Sequence, residues 1–181
     1  MKYITRISAD LIVLSSSSSE VLPPHFIGKT AEKILSKVHV PALVYTPLSR
    51  GPPKELESIL LVISSLTPVK QALSLALSLA HRRGIKVSIL SLVRLNSIDI
   101  ELSKTYTWTF DVKIDIEPLQ LDAESIVEEI LKFAKESDLV VLDRHVPHKV
   151  ESIWKKIFPF HRLSTLERTL LSISPTPILL V

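Results

Sequence analysis

The chain of 181 residues is long enough for one domain, or one domain and a fragment, and to bury a sizeable core. It has no cysteine, which excludes disulfide frameworks, thiolate metal sites and cysteine nucleophiles. The net charge of +3 comes from dispersed Lys and Arg, whereas a nucleic-acid surface concentrates them in a stripe, so no nucleic-acid partner is expected.

The apolar fraction is 46% and the mean hydropathy +0.30. No apolar run approaches the roughly 18–20 residues that span a bilayer. The excess therefore points to buried parallel strands and to a subunit interface, without membrane insertion. The first apolar run, Leu11–Leu14, is too short for the core of a secretion signal, and a cytoplasmic protein is expected. Asn96 is the only asparagine, and Gln71 and Gln120 are the only glutamines, a scarcity that suggests a thermophile.

In chain order, Asp10–Leu14 (DLIVL) reads as a strand, followed by the serine run Ser15–Ser19. Lys29–Val38 reads as a helix and Ala42–Tyr45 as a strand. Thr46–Lys54 (TPLSRGPPK) then breaks both kinds of structure. Ser58–Ile63 (SILLVI) is continuously apolar, as a strand buried on both faces must be. Val69–His81 has apolar residues at helical spacing and is stopped by Gly84 in the position of a C-cap. Lys86–Val93 reads as a strand, Ser97–Tyr106 is ambiguous, and Val112–Ile116 alternates like a strand. Asp122 caps a helix running to about Glu136. Strand Asp138–Leu142, helix Ser164–Ser172 and strand Pro177–Val181 complete the chain. Alternating strands and helices predict an open, mainly parallel α/β sheet with helices on both faces.

The opening stretch echoes the closing one. Asp10–Leu14 parallels Asp138–Leu142, Pro41–Val44 parallels Pro177–Leu180, and Glu32 parallels Glu167, with extra residues in the second copy.

Ala9–Pro47 resembles the C-terminal part of universal stress proteins. In that family an ADLIV-type strand runs into a loop patterned G-x-x-G, nine residues, then G-S/T. An AEKVL-type helix and a CPVLVV-type strand follow. Gly28 holds the third glycine, Ala31–Leu35 (AEKIL) matches the helix, and Pro41 matches the proline. Ile59–Val93 is similar to the family's opening strand, helix and second strand. The resemblance implies residues 1–47 as a partial domain, 48–56 as a linker and 57–181 as a complete domain of strand order 3-2-1-4-5. It also implies that Ala42–Tyr45 pairs with Ile178–Val181, leaving Leu11–Leu14 near an open edge. A homodimer, or a partner supplying the missing half-domain, is expected to cover that edge.

In family members that bind ATP, the glycines and the Ser/Thr let backbone N–H groups cradle phosphate. Here Ser15 and Ser18 replace the first two glycines of the partial segment, and Lys29 replaces the Ser/Thr. In the complete domain Asp143 and Val146 stand at glycine positions, with His145 between them. Ser64 stands where the family has an aspartate that meets the adenosine, and Ser164 and Thr165 take the late Ser/Thr site. A carboxylate at Asp143 repels phosphate unless a metal or Arg144 compensates. A degenerate nucleotide site over Ser64, Asp143, His145, Ser164 and Thr165 is therefore expected, with no cofactor as the first reading and ATP or AMP as the alternative. Gly28 and Lys29 form a candidate anion site at a helix start, against the plainer reading of a polar loop that replaced a phosphate loop.

Only three glycines are present, so neither a dinucleotide fingerprint nor a P-loop can form. Asp143, His145 and His148 have a spacing that could hold zinc, which keeps a small metal-dependent hydrolase as the third hypothesis. Trp108, Phe110, Trp154, Phe158 and Phe160 are read first as core filling, and alternatively as a partner surface. The leading expectation is a non-enzymatic stress-response or regulatory protein that acts through oligomerisation.

Overall fold

The computed structural model describes residues 9–15, 27–38, 40–46, 48–64, 69–81, 84–92, 114–118, 123–143 and 163–181. Among these are seven strands: β1 (Ile12–Ser15), β2 (Ala42–Tyr45), β3 (Ser58–Ile63), β4 (Lys86–Ser91), β5 (Ile114–Pro118), β6 (Leu139–Leu142) and β7 (Ile178–Leu180). Four helices accompany them: α1 (Lys29–Leu35), α2 (Val69–His81), α3 (Ala123–Lys135) and α4 (Thr165–Ile173).

All seven strands join one sheet in the order β1-β2-β7-β6-β3-β4-β5. Counted from β3, the run β5-β4-β3-β6-β7 is third, second, first, fourth, fifth. Every pairing is parallel except β2 with β7, where Ala42 faces Leu180, Leu43 faces Leu179 and Val44 faces Ile178. Strand β1 forms the outer edge next to β2.

The core has two layers, one on each face of the sheet. On one face α1, α3 and α4 pack over Ala42, Val44, Leu60, Val62, Val140, Leu142, Ile178 and Leu180. On the other, α2 lays Ala72, Leu73, Ala76, Leu77 and Ala80 onto Ile59, Leu61, Val87, Ile89 and Val141. Those α2 positions recur at the helical period and leave Gln71, Ser74, Ser78 and His81 exposed. The continuous apolar strands β3 and β6 are buried on both faces, as parallel strands between helices require. The core is thus continuous from Ile27 to Leu180 and includes residues on both sides of the Pro/Gly-rich stretch.

Gly84 ends α2 with φ 64°, and the Ile85 amide reaches back to the Ala80 carbonyl. This six-to-one bond needs a left-handed residue, which glycine supplies without strain. Several element ends differ from the periodicity reading. Helix α1 closes at Leu35 rather than Val38, because the Lys37 and Val38 amides both bond to Ile34 and tighten the last turn. Strand β4 ends at Ser91, and β5 spans Ile114–Pro118, with Val112 and Lys113 of the expected Val112–Ile116 strand outside the described residues. Strands β1 and β6 start two and one residues later than read, since Asp10 and Asp138 precede their ladders. The ambiguous Ser97–Tyr106, the cap at Asp122 and the five aromatics lie outside the described residues.

Candidate functional site

The chain leaves β3 toward β4 and β5, then crosses back to place β6 on the other side of β3. A reversal of this kind opens a crevice at the carboxyl ends of the two diverging strands, where open α/β sheets bind ligands. Two of the sequence-predicted residues meet there. Ser64 follows β3 and Asp143 follows β6. The Asp143 carboxylate accepts hydrogen bonds from the Ser64 amide at 2.8 Å and from the Ser64 hydroxyl at 2.7 Å. The Asp143 amide in turn donates to the Val62 carbonyl.

Asp143 is fully buried, at 0% exposure. A charged carboxylate without water needs donors, and Ser64 supplies two of them. The carboxylate thus bridges the ends of β3 and β6. Ser91, at the end of β4, is buried close to the same edge of the sheet.

Ser164 and Thr165 begin α4. Their local chemistry is a capping box: the Ser164 hydroxyl accepts from the Glu167 amide at 3.1 Å, and the Glu167 side chain accepts from the Ser164 amide. The orphan N–H groups that could turn to an anion are thereby partly satisfied from within the chain. Glu167 is 4% exposed, so a second buried carboxylate stands at this helix start. Leu163 precedes the cap and is buried in the core, while Thr165 is exposed.

Gly28 and Lys29 occupy the start of α1. Gly28 is the N-cap, with φ −53° and ψ 136° and no side-chain cap bond, and Lys29 is exposed. The structure brings Ser64 and Asp143 together, but places Gly28 and Lys29 at a different helix. His145 and His148 lie outside the described residues, and among the described residues no group of His, Cys, Asp and Glu could hold a metal ion. A cavity of about 230 Å³ lined by Ser58, Lys86, Ser88, Phe133 and Glu136 opens at the amino ends of β3 and β4, away from the crevice.

The sequence reading missed a second carboxylate bridge. Asp138, just before β6, accepts from the amides of Glu57 and Ser58 and from the Ser58 hydroxyl at 2.9–3.0 Å. It sets where β3 starts. Only the pairing of β3 with β6 brings these residues together, so no local signal marks them. The capping box was legible as Ser-x-x-Glu before an apolar run, but Ser164 was read for phosphate instead.

No protein-family model matches the chain, and no curated protein matches its sequence. Solved structures do match its fold. A universal stress protein from Archaeoglobus fulgidus superposes with a TM-score of 0.67 at 15% identity, covering 99% of this chain and 63% of that one. A putative universal stress protein from Pseudomonas aeruginosa gives a TM-score of 0.64 at 12% identity, covering 99% and 65%. A functionally unknown protein from the same species gives 0.62 at 12% identity with the same coverage. The chain therefore spans less than two thirds of the length of these neighbours, and it has the universal-stress-protein-like fold.

Proposed function

We propose that this chain is a non-enzymatic regulatory protein of the stress-response type, working in the cytoplasm through association with other polypeptides, and that its nucleotide site has lost its function. In this reading residues 1–47 form a partial unit, 48–56 a linker and 57–181 a complete unit. The fold supports the stress-response class. The observation that carries the loss of nucleotide binding is the buried Asp143 carboxylate, held by Ser64 in the crevice between β3 and β6.

A carboxylate there opposes a phosphate brought to close range. The Ser64 amide and hydroxyl both donate to Asp143, so Ser64 can meet an adenosine only as an acceptor.

Thermal unfolding in the presence of ATP, AMP, Mg²⁺ or Zn²⁺ tests the reading. A ligand at one hundred times its Kd stabilises by about 2.7 kcal/mol, several degrees for a domain of this size. No shift with any of the four is the expected result. A shift with ATP or AMP overturns the lost-site reading in favour of a nucleotide-binding module. A zinc-dependent shift accompanied by hydrolysis overturns it in favour of a metal-dependent hydrolase.

A further inference from the structure

Strand β1 is the exposed edge of the sheet, and one of its faces is bare. Val13 is 59% and Leu11 48% exposed, while Ile12 and Leu14, on the opposite face, pack against the core under α1. The rest of the molecule contains a template for what belongs there.

The pair β1–β2 and the pair β6–β7 share one register. Ile12 faces Ala42, Val13 faces Leu43 and Leu14 faces Val44, just as Val140 faces Ile178, Val141 faces Leu179 and Leu142 faces Leu180. The backbone bonds match too. The Ile12 amide donates to the Pro41 carbonyl at 2.9 Å, and the Val140 amide donates to the Pro177 carbonyl at 3.0 Å. Position for position, β1 is the counterpart of β6.

The other side of β6 is occupied. Strand β3 pairs with it in parallel, and α2 covers Leu139 and Val141. The counterparts of those two residues are Leu11 and Val13. The pairing of β3 begins at Asp138, whose carboxylate takes the amides of Glu57 and Ser58 and the Ser58 hydroxyl. The counterpart of Asp138 is Asp10. Asp10 is exposed, and no hydrogen bond to its side chain is formed among the described residues.

We propose that the outer edge of β1 docks a polypeptide unit, other than the described elements, that presents a strand followed by a helix. Its strand runs parallel to β1 and starts at the Asp10 carboxylate, and its helix covers Leu11 and Val13. The inward face of that helix is apolar with small residues, as Ala72, Ala76 and Ala80 are in α2. The amides of Leu11 and Val13, which alternate with the one bonded to Pro41, supply the ladder.

A second copy of this chain fits less well. Its own unit of that kind, β3 with α2, is already enclosed between β4 and β6. Two β1 edges meeting antiparallel would place Asp10 against the far end of the opposite strand, where it caps nothing, and would leave the bare face uncovered.

The inference rests on the association reading above, but its test is separate from the nucleotide test. Binding of ATP would remove the lost-site reading and leave β1 untouched. The probe is a second copy of the chain's own residues 54–136, joined directly ahead of Ala9 in the full chain, with exchange followed at single amides. The fusion should slow exchange at Leu11 and Val13 by about tenfold or more. Asp10→Ala should return that exchange to its unfused rate in the fusion, and should change nothing in the unfused chain. Free exchange at Leu11 and Val13 in the fusion overturns the proposal. Sedimentation of the unmodified chain gives a second reading. A monomer at all concentrations keeps the edge available, whereas a dimer dissolved by Val13→Lys identifies a second copy as the occupant and overturns the proposal.

Discussion

The units β1-α1-β2 and β6-α4-β7 use the same register and the same backbone bonds, yet they live in different surroundings. All four residues of β6 are buried, while β1 alternates between half-buried and exposed. The side chains differ little: in the shared register Leu11–Leu14 (LIVL) stands against Leu139–Leu142 (LVVL). What differs is the neighbour: β6 has β3 and α2 beside it, and β1 has nothing of that kind among the described residues. Burial in this sheet is therefore a property of position. An apolar strand sequence permits burial on both faces but does not cause it.

Matched substitutions in the two units make the difference measurable. The largest contrast should come from a charge on the covered face. Val141 is fully buried, so Val141→Asp strands a carboxylate in the core and should unfold the protein, at a cost of about 4 kcal/mol or more. Val13→Asp is exposed and should change stability in urea by less than about 0.5 kcal/mol. Equal losses at the two sites would mean that β1 is covered in solution.

The next contrast concerns the crevice. Asp143→Ala leaves the Ser64 amide and hydroxyl without their acceptor and should cost about 2–4 kcal/mol. Its counterpart, Ser15→Ala, should be near neutral in the same titration. Retained stability in Asp143→Ala would show that Ser64 finds water, and that the crevice is wetter than its burial implies.

Asp138→Ala removes three hydrogen bonds at the start of β3 and should cost about 1.5–3 kcal/mol, read as a fall in Tm. Asp10→Ala should leave Tm unchanged. The smallest effects belong to the helix starts. Ser164→Ala breaks the capping box at a cost of about 1 kcal/mol. Gly28→Ser supplies α1 with the side-chain cap it lacks, at an extended backbone conformation open to any residue, and should gain about a few tenths of a kcal/mol.

Much of the fold was legible because its signals are local. The apolar runs at Ser58–Ile63 and Ala42–Tyr45, the helical stripe of Val69–His81 and the stop at Gly84 each sit within one element and carry their own period. The likeness of Asp10–Leu14 to Asp138–Leu142 was legible for the same reason. The bridges of the site were not. Ser64 and Asp143 lie 79 positions apart, and Ser58 and Asp138 lie 80 apart, so their partnership exists only after β3 pairs with β6. The resemblance assigned Ser64 and Asp143 to one site through the family's pattern, but it offered opposition to phosphate where the structure has a mutual hydrogen bond. Ser164 was found as a polar helix start, although its hydroxyl serves its own helix rather than a ligand.

The antiparallel join of β2 to β7 also orders events during folding. The Thr46 hydroxyl bonds the Ser174 carbonyl across 128 positions of sequence, and the Arg50 amide bonds the Pro175 carbonyl. Two short strands and a helix of 7 residues cannot hold themselves together in water. Among the described strands, the β1-α1-β2 unit joins the rest of the sheet through the pairing of β2 with β7, which is the last strand to be made. During synthesis its apolar strands wait while the rest of the sheet is assembled, and this is when a chaperone has most to protect. Slowing the arrival of β7, rather than weakening any contact of β1, should be the surest way to make this protein aggregate.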